Sequence, residues 1–143
     1  MANTSYVEQA MVFSKSTDGE LYIAPNFQVK EFACSDGSDV VVVHPYIPHI
    51  CQIVRNNFNM PFSPTSAYRT LSHNKSVGGA TNSNHVYGRA VDIPAKNGVT
   101  PKQLYDYLDS IFGEWGELGI YSWGIHVGVQ NNKNRYTDSS YKE

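Results

Sequence analysis

The sequence has little of what marks several large classes of protein. Lys and Arg number 11 against 13 Asp and Glu, a formal charge of −2, so there is no basic field to hold a nucleic-acid backbone. No apolar run approaches the roughly 18 to 20 residues of a membrane span. The residues after Met1 also lack the charged and apolar regions of a secretory signal. We therefore expect no nucleic-acid partner, no membrane span and no signal peptide.

Cysteine is also scarce. The two cysteines, Cys34 and Cys51, are too few for a disulfide scaffold, and they lack the C-x-x-C spacing of a metal site. We expect two buried thiols rather than metal ligands. A single bridge between them remains open as an alternative.

Two segments have the pattern of amphipathic helices. Apolar residues recur at i, i+3, i+4, i+7 and i+11 over residues 45–58, and Pro48 falls where a first turn tolerates it. A second helix is predicted over 100–113. Thr100 can serve as its N-cap, Pro101 suits its first position, and Gly113 suits its end.

The 143 residues suffice for a single hydrophobic core. Strands are predicted near 21–23, 67–69, 86–93, 118–121 and 125–129. We predict an α+β fold with two or three helices packed on one small antiparallel sheet. The predicted organisation is an N-terminal arm (1–25), a central domain (26–131) and a polar, loose C-terminal tail (132–143).

Residue types that bind zinc come together in the segment 83–92. His85 and Asp92 are good zinc ligands, and a third nitrogen ligand would leave the open fourth position that a catalytic zinc site needs. Gly88 permits a sharp turn, so that one ligand can come from a loop and the next from a strand. His126 is the third candidate. From spacing alone, a surface histidine and a hydrogen-bonded aspartate remain the alternative.

The pattern S-x-H-x-x-G-x-A-x-D at 83–92 resembles the motif of the zinc D-Ala-D-Ala carboxypeptidases and dipeptidases, cell-wall peptidases that share their fold with the hedgehog signalling domain. The likeness to members encoded by phages and bacteria extends to residues 26–34, 67–70, 73–80 and 119–121. It implies one zinc ion held by His85, Asp92 and His126. The same donor set can hold other divalent ions.

The resemblance also implies roles around the metal. Arg69 would hold a substrate carboxylate or the developing oxyanion, with a surface ion pair as the alternative. Ser83 would orient the ligand loop or the substrate, or act as a local turn hydroxyl. Tyr87 and Tyr121 would line the cleft, with core packing as the alternative for at least one of them.

The remaining histidines are expected to lie outside the metal site. His73 is interpreted as a loop residue hydrogen-bonded to the backbone rather than as a fourth ligand. His44 and His49 lie on or near the first predicted helix, away from the motif, and receive no role.

One departure from the related enzymes concerns the acid that takes the proton of water. Relatives place it three residues before the last histidine or two after, where this chain has Trp123 and Gly128. On a strand, residue 128 would share the face of His126, about 7 Å along it. Glu114 or Glu117 would have to supply the carboxylate from another direction.

The resemblance favours a zinc metallopeptidase that hydrolyses D-Ala-containing stems or cross-links of bacterial peptidoglycan. We expect a monomeric, endolysin-like phage hydrolase, located in the host cytoplasm or on the virion and acting on the wall after release. The alternative, suggested by Gly128, is a catalytically impaired zinc-containing module that binds wall peptides. A structural virion domain with vestigial zinc is a third hypothesis.

Overall fold

The fold combines short strands with helices. A computed structural model describes residues 10–143. Its strands are β1 (Met11–Ser14), β2 (Tyr22–Ala24), β3 (Phe27–Gln28), β4 (Val40–Val43), β5 (Ala90–Pro94), β6 (Glu117–Tyr121), β7 (Gly124–Gly128) and β8 (Asn134–Thr137). Its α-helices are α1 (Lys15–Asp18), α2 (Tyr46–Phe58), α3 (Leu71–Ser76) and α4 (Pro101–Phe112), and 3-10 helices span Val29–Phe32 and Asn84–Tyr87. The predicted α+β class is confirmed.

A four-stranded sheet carries the site. Its strand order is β5-β7-β6-β8, with β7 antiparallel to both neighbours and β8 parallel to β6. Two further sheets of two strands each, β1–β4 and β2–β3, are antiparallel. The described part of the chain therefore has three small sheets where one antiparallel sheet was predicted.

Both predicted long helices are confirmed. In α4, Thr100 Oγ1 accepts a hydrogen bond from the backbone of Gln103, whose side chain accepts one from the backbone of Thr100. This capping box satisfies two amide groups that helix geometry leaves unpaired. Asn59 caps the C-terminus of α2 and has a left-handed conformation with φ 49°. Asparagine tolerates that conformation better than most residues.

The core lies between these helices and the central sheet. The apolar face of α2 buries Ile47, Ile50 and Val54, and α4 buries Leu104 and Leu108. Both cysteines are buried free thiols, as expected, and no disulfide joins them. Burial raises the pKa of the Cys51 thiol. None of the helices between residues 10 and 143 is long and apolar enough to cross a membrane.

Two predicted strands differ from the structure. Around residues 67–69 there is only an isolated bridge between Ser66 and Asp92, because the chain turns directly into α3. The segment 86–93 is extended only from Ala90, since the 3-10 helix Asn84–Tyr87 takes up its first residues.

The segments that flank the central domain are built into the fold. Residues 1–9 of the predicted arm lie outside the described residues, but β1 pairs with β4 and Phe13 packs against the core. The expectation of a loose tail is wrong, because 134–137 form β8. Arg135 anchors this strand by donating hydrogen bonds to Asp109 Oδ1 at 2.6 Å and to the carbonyl oxygen of Gly116 at 2.6 Å. The division of the chain at 25 and 131 stays a prediction.

Candidate metal centre

Strand pairing brings Asp92 and His126 together. The two residues are direct partners in the antiparallel β5–β7 register. Directly opposed residues project to the same face of a sheet, so their side chains meet. His126 Nδ1 lies 3.0 Å from Asp92 Oδ1.

A short helix delivers His85 to the same place. Ser83 Oγ caps the 3-10 helix by accepting a hydrogen bond from the His85 backbone amide at 3.2 Å. Gly88 ends this helix with φ 70°, a conformation that favours glycine. His85 Nδ1 donates to the carbonyl oxygen of Ala67 at 2.6 Å, and its Nε2 lies 3.2 Å from Asp92 Oδ1. The carbonyl thus orients the ring so that Nε2 faces the site.

The three residues form a cluster suited to a divalent metal. His85, Asp92 and His126 each offer one ligand atom, and these atoms lie within 4.8 Å of one another. The residues are 2%, 8% and 9% exposed. Two imidazoles and one carboxylate are donors that zinc accepts, and three protein ligands leave a position for water or substrate. The donor set fits one zinc ion.

A second carboxylate, that of Glu117, enters the site from β6. Its Oε1 accepts hydrogen bonds from His126 Nε2 at 2.7 Å and from Asn84 Nδ2 at 3.0 Å. Its Oε2 accepts one from Asn134 Nδ2, on β8, at 3.2 Å. The side chain of Glu114, in contrast, is 91% exposed and pairs with Lys133. Of the two acids proposed from the sequence, only Glu117 reaches the cluster.

Burial and hydrogen bonding shift the pKa values of Asp92, Glu117 and His126 in opposite directions. Burial alone would raise the pKa of Asp92 and of Glu117, but hydrogen bonds from their partners outweigh it. The pKa of Asp92 falls well below its usual 3.8, and that of Glu117 falls to about 2. Burial would lower the pKa of His126, but its bonds to both carboxylates raise it to about 9. The ionised carboxylates of Asp92 and Glu117 thus favour a positive charge between them, on His126 or on a bound cation.

Arg69 lies on the wall beside the cluster. Its Nε donates to Ser66 Oγ at 3.2 Å, and its Nη1 donates to Asn74 Oδ1 at 3.2 Å. The second terminal nitrogen, Nη2, lies 3.9 Å from Asp92 Oδ2. Two neighbours therefore hold the guanidinium plane while it keeps donors for a ligand.

The cluster opens into a cavity of about 680 Å³. Tyr121 and Trp123 line it as a stacked pair, with ring centroids 4.8 Å apart. Tyr136, from β8, also lines the cavity, and its hydroxyl lies 2.8 Å from that of Tyr121. A cavity of this size and lining can hold a short peptide segment beside the cluster.

Comparison with known families agrees with this site. A family model described as Peptidase M15 matches residues 25–129, which include all three clustered residues. The chain belongs to the peptidase M15 family. M15 peptidases are zinc enzymes of the D-Ala-D-Ala carboxypeptidase group, and the His85–Asp92–His126 cluster could bind one metal ion. No curated protein sequence matches the chain.

Most of the site residues predicted for this M15 chain line the cavity. Those present are Arg69, Ser83, His85, Asp92, Glu117, Tyr121 and His126. Tyr87 is not among the lining residues. It is 48% exposed, and its ring packs against the guanidinium group of Arg89, 4.7 Å from the ring centroid. The role of Tyr87 in substrate binding stays a prediction, and this cavity does not include its side chain.

The other histidines of the M15 domain lie outside the cluster. His73 belongs to α3 rather than to a loop, because Thr70 caps that helix, and its Nε2 lies 3.1 Å from Ser35 Oγ. His44 precedes α2, and His49 lies within it. Asn134 and Tyr136 could not be predicted from a motif, because they follow both the segments of resemblance and the matched residues.

Proposed function

We propose that this chain is a zinc-dependent peptidase that hydrolyses D-Ala-containing stems or cross-links of bacterial peptidoglycan. One observation carries the proposal: a buried His85–Asp92–His126 cluster shares its cavity with a second carboxylate, Glu117. A metal site and a separate proton acceptor are the two parts that metal-assisted hydrolysis requires. The resemblance to phage and bacterial members supports a monomeric wall hydrolase of the phage type, which reaches the wall after release.

His85, Asp92 and His126 would hold the zinc ion. Zinc, when bound, polarises the scissile carbonyl and lowers the pKa of water. The hydrogen bond that His85 Nδ1 donates to the carbonyl oxygen of Ala67 fixes one ligand ring, and the β5–β7 register fixes the other two ligands. The protein therefore presents these ligands from a rigid sheet and a capped turn.

Glu117 acts as the proton acceptor. As a water molecule attacks the carbonyl carbon, Glu117 Oε1 takes one of its protons and later passes it to the leaving amine when the C–N bond breaks. Amides of Asn84 and Asn134 hold the carboxylate in place from two sides. General-base catalysis of this kind contributes about 10² to 10⁴ in rate.

Arg69 and the aromatic pair position the substrate. The free donors of the Arg69 guanidinium bind a carboxylate of the stem peptide or the oxyanion that forms during attack. Tyr121 and Trp123 supply an apolar wall along the peptide. Ser83 acts indirectly, through the cap that orients His85.

A zinc-containing module that binds wall peptides without cutting them is the second candidate. Trp123 and Gly128 favour it, because they stand at the two positions where related enzymes carry the acid. The inward carboxylate of Glu117 favours the peptidase.

An assay on purified peptidoglycan and on synthetic stem peptides distinguishes the two candidates. Zinc-loaded, chelated and zinc-restored protein would be compared, with products identified by mass spectrometry. We expect zinc-dependent release of a defined fragment. Glu117→Gln should reduce it about 10² to 10⁴-fold, and Glu114→Gln, the matched control, should leave it unchanged. Binding without release would support the module, and the absence of both would overturn both candidates.

A further inference from the structure

Glu117 and Gly128 are direct partners in the antiparallel β6–β7 register. A Cβ atom placed on Gly128 would lie 2.5 Å from Glu117 Oε1, 2.7 Å from Asn84 Nδ2 and 3.0 Å from Glu117 Cβ. These separations are far shorter than the roughly 3.5 to 4.0 Å at which non-bonded carbon atoms pack. The Glu117 side chain therefore occupies the space that a side chain at position 128 would need.

Neighbouring atoms, and not the backbone conformation, prevent a larger side chain at position 128. Several glycines of the chain have a positive φ that disfavours other residues, and Gly128 is not one of them. It lies within β7, where its neighbours include the buried residues His126 and Val127. A larger residue could adopt this backbone if Glu117 were absent and the Asn84 amide, 2.7 Å away, moved aside.

We infer that Glu117 and Gly128 form an exclusive pair: the site has room for one acid at this place, and β6 supplies it because β7 has glycine there. Gly128 is thus a positioning residue. It allows the Glu117 carboxylate to reach His126 Nε2 and the amide of Asn84. The role of this pair in catalysis rests on the proposed peptidase function. The steric exclusion between residues 117 and 128 does not depend on that function.

The exclusion predicts how substitutions at the two positions combine. Gly128→Ala alone should push the Glu117 carboxylate from its place and break its bonds to His126 and Asn84. With Glu117→Ala present, the same change loses its shortest contact, that with Glu117 Oε1, and meets only the Cβ atom of residue 117 at 3.0 Å and the Asn84 amide, which no longer bonds to a carboxylate and can move aside. An aspartate at 128 should then be able to take over when 117 is small, because directly opposed residues project to the same face of a sheet and Glu117 lines the cavity on that face.

The first experiment is a double-mutant cycle on the unfolding midpoint, measured on zinc-loaded and on chelated protein. Gly128→Ala should lower the midpoint by several degrees in the natural background and by clearly less in the Glu117→Ala background. In a Glu114→Ala background, the matched control, Gly128→Ala should cost as much as in the natural chain. Additive changes at 117 and 128 would overturn the exclusion, whether or not the protein is a peptidase.

The second experiment tests the exchange of the acid. We expect Glu117→Gly to lose most activity, and the double variant Glu117→Gly with Gly128→Asp to regain at least tenfold over it. Proton resonances of the His126 ring should shift in Glu117→Gly and move back in the double variant, which reports the contact without activity. A folded, zinc-binding double variant that recovers neither the resonances nor the activity would overturn the exchange. An inactive natural chain would reject the proposed function and leave the midpoint cycle to test the exclusion.

Discussion

Asp92 and His126 are joined twice, once by backbone pairing and once by side chains. They are opposite each other in the β5–β7 register, and His126 Nδ1 lies 3.0 Å from Asp92 Oδ1. The sheet therefore sets the separation of two of the three clustered residues, and only His85 comes from outside it, on the capped 3-10 helix Asn84–Tyr87. Sites built on strands are held more precisely than sites built on loops.

Replacement of Asp92 by Asn should weaken metal binding. The amide is neutral and lacks the charge that balances a divalent cation, so we expect zinc affinity to fall by more than about 100-fold. Titration with a competing chelator, read out as bound zinc per chain, measures the change. Asp106→Asn is the matched control, since Asp106 is an exposed partner of Lys102 on α4. Unchanged zinc affinity in Asp92→Asn would contradict the assignment.

Stability of the chelated protein should depend on pH at both ends of the range. The pKa of His126 is raised from 6.5 to about 9, so its contribution is complete below 6.5 and is lost as pH rises through 9. The pKa of Glu117 is lowered from 4.5 to about 2, so its contribution is present above 4.5 and is lost as pH falls toward 2. The unfolding midpoint should therefore be highest between these limits.

Bound zinc should reverse the way in which the unfolding midpoint depends on pH at alkaline pH. Metal ligands must be deprotonated, so zinc affinity rises with pH over the range in which the chelated protein loses stability. Midpoints measured from pH 3 to 10 with and without zinc would diverge above pH 6.5. In His126→Gln the alkaline loss should vanish, and in His49→Ala it should persist. A chelated midpoint that climbs between pH 7 and 9 would refute this assignment.

Arg69→Lys should impair substrate binding more than zinc binding. Lysine cannot replace the planar group that Ser66 and Asn74 hold in place, so a ligand loses charge-assisted hydrogen bonds. We expect KM for stem peptides to rise about 10- to 100-fold, with zinc content unchanged. The effect should disappear for peptides with an amidated C-terminus if Arg69 binds the carboxylate. Arg55→Lys, on α2, is the control and should be silent.

Arg135→Ala should detach β8 from the sheet. Besides Asp109 and Gly116, Arg135 donates to the carbonyl oxygens of Gly113 and Trp115, so its loss leaves several acceptors unpaired. We expect a loss of about 2 to 3 kcal/mol in the free energy of unfolding, measured with urea, and reduced activity because Asn134 no longer holds Glu117. Lys133→Ala removes only an exposed ion pair and should cost less than about 1 kcal/mol. Equal costs for the two variants would rule out this role of Arg135.

Features with local signals could be predicted from the sequence. The cap at Thr100 and the apolar repeat of α2 act between residues close in the chain, so the pattern alone locates both helices. The spacing of His85 and Asp92 left a non-metal alternative open, and the resemblance implied the set with His126 that the structure brings together.

Features that depend on distant partners could not be predicted. Strand β8 is polar and lacks an apolar alternation. It is held by side-chain bonds of Arg135 to residues about 20 positions earlier, which no local pattern records. The direction of Glu117 was equally hidden, because it depends on a missing side chain at Gly128 on the neighbouring strand. The resemblance implied that Tyr87 lines the cleft; its ring is half exposed and does not line the cavity, so that role stays a prediction.

The position of β8 in the chain has a consequence for the order in which the enzyme matures on the ribosome. Synthesis proceeds from the N-terminus, so the three clustered residues and Glu117 emerge before Asn134 and Tyr136. Until that strand has emerged, the Glu117 carboxylate lacks one of its amide donors and Tyr121 lacks its hydroxyl partner. A growing chain can therefore bring His85, Asp92 and His126 together early, but it completes the surroundings of Glu117 only when β8 has emerged.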